Sequence, residues 1–586
     1  MIKILKYLTK TEWLLSLIVV VLIMFQVHLE LLLPDYMSEI TMLISSGSDA
    51  LNEVMLAGSK MIGCAVASLI LAVFVSVIAA KIASNFSARL RKEIFEKVQS
   101  FSNAEINKFS TSSLITRTTN DVTQVQILII MGLQAMIKAP TMSIWAVSKI
   151  LNKNLTWSGA VGVSVLVLLT IVGVCLFLVI PKFKKIQALT DDINRVTREH
   201  LTGLSVIRAY NAEEYQYNKF LECNNNLTST NLFANRTLSV IMPSIQAVNS
   251  FLVLSIYFIG AYLISNANLT TVEVLFSDMI VFTSYGMQII ISFMILVMVF
   301  IMLPRSAVSA KRINEVLCTE VSIVDGKGTE GNKDKKGEIE FKNVSFKYPD
   351  GKDYILKDIS FKAKKGEVIA FIGATGCGKS TIVNLIPRFF DPNKGEVLVE
   401  GINITEYKLS DLRNKIGYIS QKATLFSGTI ESNVSYGCNG KESEKNDLKK
   451  SIEIAQAKDF VEGLEDKYNG HIAQAGGNLS GGQKQRISIA RAINRKPDIF
   501  IFDDSFSALD YKTDRNLRNA LNENCSDSTR IIVAQRIGTI KNADQIIVLE
   551  NGEIVGIGKH KDLLKKCEVY KEIALSQLSK EELENE

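Results

Sequence analysis

No pattern in the cysteines ties this chain together. The eight of them (Cys64, Cys175, Cys223, Cys318, Cys377, Cys438, Cys525 and Cys567) form no C-x-x-C pair and show no repeated interval. That spacing argues against a disulfide framework and a thiolate zinc site, and suits a reducing compartment. Strong charge of one sign is missing too. A net +6 over 586 residues leaves no footprint for nucleic acid, because the lysines and arginines fall in clusters between apolar runs. Ionisable groups are scarce in roughly the first 300 residues, and long apolar runs are scarce in the rest. The chain therefore reads as a membrane half followed by a soluble half.

The first apolar run, Trp13 to Leu33, has no small-residue cleavage site and is too long for the core of a secretory signal. It is a retained span that ends at Pro34-Asp35. Five more follow, at Met55 to Ala80, Ile127 to Ile150, Trp157 to Ile180, Leu238 to Leu263 and Met279 to Leu303. Basic residues crowd the stretches after the second span (Lys81, Arg89, Arg91, Lys92, Lys97, Lys108, Arg117) and after the fourth (Lys182, Lys184, Lys185, Arg195, Arg198, Arg208, Lys219, Arg236). The opposite loops offer Lys60, Lys149 and Lys153, so both termini and the two long loops are expected in the cytoplasm of a plasma-membrane protein.

Each long loop runs for about 50 residues, too many to be structureless, and keeps helical periodicity as at Phe86, Leu90, Ile94 and Val98. The spans should continue as helices past the bilayer. They should turn near Glu105 to Arg117 and again near Tyr210 to Tyr217. A Gly-, Lys- and acid-rich stretch from Asp325 to Lys336 marks a linker. The expected division is residues 1–320 for the membrane domain, 321–337 for the linker and 338–586 for the soluble domain.

Charged groups inside the spans are candidate functional residues. Glu30 could attract a cationic substrate from an internal cavity, or make a structural hydrogen bond to a neighbouring helix. His28 and Asp278 stand beside it as lesser candidates, and His28 does not share a helical face with Glu30. The sixth span carries Met279, Met287, Met294, Met298 and Met302 with Phe282, Tyr285, Phe293 and Phe300. These suit a permissive apolar cavity, and equally a surface facing lipid.

In the soluble half, Gly373-Ala374-Thr375-Gly376-Cys377-Gly378-Lys379-Ser380-Thr381 fits G-x-x-x-x-G-K-[ST]. It sits between a strand-like run, Val368 to Ile372, and a helical pattern, which is the context that a phosphate loop requires. Glycines let backbone N–H groups close around phosphates, Lys379 would reach the β and γ phosphates and Ser380 would hold Mg²⁺. Downstream, Ile499-Phe500-Ile501-Phe502 reads as a buried parallel strand ending in Asp503-Asp504. A carboxylate at that end of a strand is where such nucleotide sites hold Mg²⁺, a role that falls to Asp503. Between these motifs, Asn478-Leu479-Ser480-Gly481-Gly482-Gln483 precedes a helical stretch, with Ser480 as N-cap.

The wording Leu479-Ser480-Gly481-Gly482-Gln483 is the signature of ATP-binding cassettes, and residues 338–586 resemble an ABC-transporter nucleotide-binding domain over essentially their whole length. The resemblance implies an α/β P-loop cassette behind an all-α, six-helix membrane domain of the type IV exporter kind. It makes Tyr348 the adenine-stacking position and Gln421, in Tyr418-Ile419-Ser420-Gln421, the loop glutamine near Mg²⁺. It makes Asp510, in Ser507-Ala508-Leu509-Asp510, part of the D-loop, and the two expected turns coupling helices. It also implies ATP and Mg²⁺ as cofactors and a half-transporter that pairs with a second chain, each ATP lying between one chain's phosphate loop and the other chain's signature.

Two positions depart from the family pattern. The catalytic glutamate expected after Asp503 is Asp504, and the switch histidine is Gln535 in Ile531-Ile532-Val533-Ala534-Gln535-Arg536. Aspartate falls short by roughly an ångström or more, a displacement that can cost on the order of a hundredfold in rate. Glutamine can hydrogen-bond a phosphate but cannot exchange a proton near neutral pH. With an intact signature, the chain resembles the degenerate-site subunit of a heterodimeric multidrug exporter moving hydrophobic or amphipathic small molecules. The alternatives are a homodimeric lipid or peptide exporter and a membrane subunit that binds ATP without moving cargo.

Overall fold

The computed structural model describes residues 4, 6–45, 51–151, 153–267, 269–328, 331–439 and 444–577. It divides into two units: residues 1–99 with 111–319, and residues 100–110 with 320–586.

The first unit is helical: α1 Lys10–Ser45, α2 Leu51–Gln99, then, beyond the short helix α3 Asn103–Phe109 of the second unit, α4 Thr111–Thr118, α5 Asn120–Leu151, α6 Leu155–Thr202, α7 Leu204–Ala209, α8 Glu213–Ser239, α9 Ile241–Ser265 and α10 Leu269–Leu317. Among the described residues, six stretches are long and apolar enough to cross a bilayer. At 1.5 Å per residue, the 49 residues of α2 run for about 74 Å, more than twice the roughly 30 Å of hydrocarbon, so the spans do continue past the membrane as helices.

Two local expectations need correction. The first span does not stop at Pro34-Asp35, since α1 passes through Pro34 to Ser45. Pro34 removes the N–H that would bond the Glu30 carbonyl; one residue on, the Leu31 carbonyl accepts from Tyr285 Oη at 2.8 Å and Lys149 Nζ at 3.3 Å, so that turn is tied to neighbouring helices. The second of the two expected turns is not centred on Tyr210 to Tyr217. The short helix is α7, Leu204–Ala209, and Glu213 already opens α8. Gly203 ends α6, with its N–H on the Glu199 carbonyl, and sets the turn earlier.

The core of this unit gathers Trp157, Phe282 and Tyr285, each fully buried, with Met279 and Leu252. Trp157 Nε1 donates to the Ile256 carbonyl at 3.1 Å, which satisfies its one polar atom. The methionines and aromatics of the sixth span therefore divide. Met279, Phe282 and Tyr285 are core, while Met287, Met298 and Phe300 are exposed on the unit's surface.

The second unit is built on two main sheets and a small antiparallel pair, β7 Gly428–Thr429 with β8 His471–Ile472. The antiparallel sheet has the order β2-β1-β4-β5, with β1 Ile339–Phe346, β2 Leu356–Ala363, β4 Lys394–Val399 and β5 Ile402–Asn403. The larger sheet runs β12-β11-β3-β10-β9-β6, with β3 Val368–Gly373, β6 Ile416–Ile419, β9 Ile499–Asp503, β10 Thr529–Val533, β11 Gln545–Glu550 and β12 Glu553–Gly558. All its pairings are parallel except β11 with β12. Strands β9 and β10 are buried at every position, which is why they read as continuous apolar runs rather than alternating ones.

The expected linker, residues 321–337, is not free at its start, residues 324–326. Gly326 N donates to the Tyr407 carbonyl at 2.9 Å, Leu409 N to Asp325 Oδ1 at 2.8 Å and Arg388 Nη1 to the Val324 carbonyl at 3.0 Å. Residues 100–110 also belong to this unit. Glu105 accepts from Ser102 N at 2.7 Å and Ser322 N at 3.2 Å, and Ser102 caps α3 in a capping box with Glu105. Burial would raise the Glu105 carboxyl, but these hydrogen bonds outweigh it and hold the group below the usual carboxylate range.

Candidate nucleotide site

Four adjacent parallel strands, β3, β10, β9 and β6, deliver four loops to one edge of the large sheet. The register pairs Val533 with both Phe371 and Asp503, and Ile419 with Phe502, so the strands end nearly level. Beyond those carboxyl ends come Gly373–Ser380, Gln535, Asp504 and Gln421, the position where α/β folds bind ligands.

Strand β3 ends at Gly373 and the helix Lys379–Leu385 begins six residues later. The loop between them needs glycine at Gly378, where φ is +101° and an added Cβ would lie 2.6 Å from Leu356 Cδ2. At Gly376, with φ +87°, an added Cβ meets nothing within 4 Å, so the loop faces open space there. Ala374 and Thr375 complete the turn, and Cys377 is buried beneath it, with its Sγ 3.6 Å from Lys379 Nζ. The Lys379 ammonium is itself buried and donates to the Gly373 and Ala374 carbonyls at 2.8 Å each.

Ser380 Oγ donates to Asp503 Oδ1 at 2.7 Å, which joins the two expected metal-holding groups across the site. Burial, reinforced by the neighbouring Asp504 charge, holds the Asp503 carboxyl above the usual range, against the pull of Ser380 and Lys379. Asp504 follows with φ +49°, a left-handed conformation that aspartate tolerates better than most side chains. One oxygen, Oδ2, accepts from Gln535 Nε2 at 2.8 Å and from Gln421 Nε2 at 3.2 Å. Burial raises this carboxyl also, and the two amides and Lys379 pull it back. Tyr418 donates to Asn384 Oδ1 at 3.0 Å beside them, and its burial and the nearby Asp503 push the phenol well above its ordinary value.

Tyr348 leaves the end of β1 half-buried, edge-on to Phe346 and Phe390 at centroid distances of 5.1 and 5.2 Å. Its hydroxyl lies 3.2 Å from Thr381 Oγ1, in the first turn after the phosphate loop. The Leu479–Gln483 stretch is not among the groups gathered at the strand ends. Ser480 caps the helix Gly481–Asn494 in a capping box with Gln483, and an added Cβ at Gly482 would meet the Ala508 carbonyl at 3.2 Å. Asp510 caps the next helix by accepting from Thr513 N at 2.9 Å, which holds its carboxyl below the usual range.

A buried amine, a hydroxyl on a carboxylate and a glycine-turned loop are a donor set that fits a Mg-nucleotide. Family comparisons decide the matter. Residues 16–293 match the ABC transporter transmembrane region and residues 356–507 the ABC transporter domain. An uncharacterized ABC transporter ATP-binding protein of Mycobacterium tuberculosis is 35% identical over 532 residues, spanning 89% of this chain and 88% of that protein. The chain belongs to the ABC transporter family.

Another such protein, YfiB of Bacillus subtilis, is 35% identical over 574 residues and covers 96% of both chains. An ATP-dependent lipid A-core flippase of Pseudomonas fluorescens is 30% identical over 495 residues, 84% of this chain and 80% of that one. The solved structure of a bacterial Atm1-family ABC exporter with ATP bound shares the fold, with a TM-score of 0.81 at 22% identity over 97% of this chain and all of that one. This ABC transporter chain is a half-transporter, one membrane region fused to one ATP-binding domain. Such chains function as dimers and use ATP with Mg²⁺.

The carboxylates singled out in the spans, Glu30 and Asp278, are both paired. Glu30 Oε1 accepts from Lys138 Nζ at 2.8 Å, from Gln26 Nε2 at 2.8 Å and from Ser68 Oγ at 3.2 Å. Asp278 pairs with Lys153 at 2.8 Å, Asp35 pairs with Lys149, and His28 stands edge-on to Trp145 at 6.1 Å. Lys138 escaped notice as a single cation inside the third apolar run, since its partner on α1 is visible only when the helices are packed. A Glu30 whose charge is matched by Lys138 favours the structural alternative over attraction of a cationic substrate. Lys138→Met should strand the carboxylate and cost about 1–3 kcal/mol or more, read as a lower thermal midpoint in lipid. Adding Glu30→Gln should restore most of that loss; no recovery in the double variant would contradict the pairing.

Proposed function

We propose that this chain is the degenerate-site half of a heterodimeric ABC exporter. The carrying observation is Asp504, whose Oδ2 already accepts hydrogen bonds from Gln421 and Gln535. A general base must take a proton from the attacking water, and these two bonds tie the carboxylate toward the Gln421 and Gln535 amides, leaving only Oδ1 outside them for that task. The shorter side chain also sets the carboxylate back, and Gln535 supplies a fixed amide where a titratable imidazole is expected.

In this reading Tyr348 stacks on adenine, Gly373–Thr381 and Lys379 hold the phosphates, and Ser380, Asp503 and Gln421 serve the metal. When bound there, Mg²⁺ would supply positive charge against the negative charge that develops on the phosphates. Ser480, Gly481 and Gly482 complete the site of the second, different chain, and Asp510 belongs to the D-loop beside it. The membrane domain is residues 1–320 with the cassette at 338–586, and the cargo is a hydrophobic or amphipathic small molecule. The flippase relative favours a lipid-like amphipath as the second reading of the cargo.

Full-length chain in lipid should hydrolyse Mg-ATP slowly, and Asp504→Glu/Gln535→His should raise turnover by about tenfold to a hundredfold. Brisk hydrolysis by the native chain alone would overturn the degenerate assignment. Both termini and the long loops are placed in the cytoplasm because their flanks carry the basic residues. In an otherwise cysteine-free chain, Asn266→Cys should react with an impermeant maleimide on intact cells and Thr202→Cys only after permeabilisation. The reverse pattern would invert the topology.

A further inference from the structure

The switch position is gripped from a part of the chain that no nucleotide motif includes. Gln577 lies two residues past the helix Glu568–Leu575. Its Nε2 donates to the Gln535 carbonyl at 2.7 Å, and its Oε1 accepts from Ile537 N at 2.9 Å. One carboxamide thus spans the backbone from Gln535 to Ile537 and uses both of its ends. Ile537 opens the short helix Ile537–Ile540, whose N-cap residue, Arg536, makes no side-chain cap. Gln577 supplies that cap from 40 residues away.

The grip stands on an anchored base. Gln577 N donates to the Ala574 carbonyl at 3.0 Å. Tyr570 and Ala574 of the same helix are fully buried, in one apolar cluster with Ile537. At the other end, the Gln535 side chain donates to Asp504 at 2.8 Å, and Arg536 Nη2 reaches the Ser507 carbonyl of the D-loop at 3.5 Å. A hydrogen-bonded line therefore runs from Gln577 through Gln535 to Asp504.

We infer that Gln577 is a positioning residue for the switch: it fixes the backbone that aims Gln535, and so sets how strongly this cassette prefers ATP to ADP. The inference rests on the proposed role of Gln535 at the γ-phosphate. That group distinguishes ATP from ADP, so a misaimed switch should weaken ATP and spare ADP.

The test is equilibrium binding of Mg-ATP and Mg-ADP to the full-length chain in lipid nanodiscs, for the native protein, Gln577→Ala, Gln577→Glu and Gln535→Ala. Both Gln577 variants should lose about three- to tenfold in ATP affinity, the range of one or two net hydrogen bonds, with ADP affinity changed by less than about twofold. Glutamate keeps the shape and the acceptor for Ile537 but sets an oxygen against the Gln535 carbonyl. A Gln577→Glu protein that keeps native ATP affinity would reduce Gln577 to packing and overturn the inference, as would a parallel loss of ATP and ADP. Native preference in both Gln577 variants, with Gln535→Ala impaired, would overturn the brace alone. An unimpaired Gln535→Ala would remove the switch assignment and the brace with it.

Discussion

The register of β9 between β10 and β6 is the constraint on which the site depends. Pairing Val533 with Asp503 and Ile419 with Phe502 brings three strand ends level beside β3. Each strand is buried on both faces, so a slip of one residue would turn its side chains to the opposite face and move Asp503 away from Ser380. The site groups are small and polar, and none could hold this arrangement alone. The apolar cores on the two faces of the sheet do so.

Within that frame, the chemistry turns on how the donors and acceptors are shared. Ser380 uses one oxygen of Asp503, which suits a pair that holds a metal together. Asp504 gives one oxygen to two amides, which holds its carboxylate toward Gln421 and Gln535. Its left-handed backbone adds to the restraint, because the side chain starts from a conformation that few residues adopt. The intact signature helix, capped by its own serine and glutamine, has no comparable defect.

Much of this was legible in the sequence because it depends on local rules. The glycine spacing around Lys379 and the apolar run Ile499 to Phe502 each specify an element without reference to the rest of the chain. The six apolar spans and the α/β cassette were legible for the same reason. What escaped depends on distant partners. Lys138 is one cation in an apolar run until α1 brings Glu30 to it, and Gln577 is an ordinary polar residue until Gln535 and Ile537 meet it. Pro34 looked like a stop because the outside support for the Leu31 carbonyl comes from Tyr285 and Lys149. The second turn was set too late because α7 is short and its polar surroundings carry little periodicity.

The measurement that bears most directly on the account is the fate of ATP held by this chain. Full-length protein in lipid would be loaded with Mg-ATP labelled on the γ-phosphate, freed of excess, and the label followed as bound ATP or released phosphate. Two copies together contain intact signatures and phosphate loops, so what sets their sites apart is Asp504 and Gln535. The account predicts that bound nucleotide stays ATP for minutes, far beyond the turnover times of ordinary enzymes, on the order of a second or less. Release of the label as phosphate within seconds would show that Asp504 works as a base despite its two amide partners.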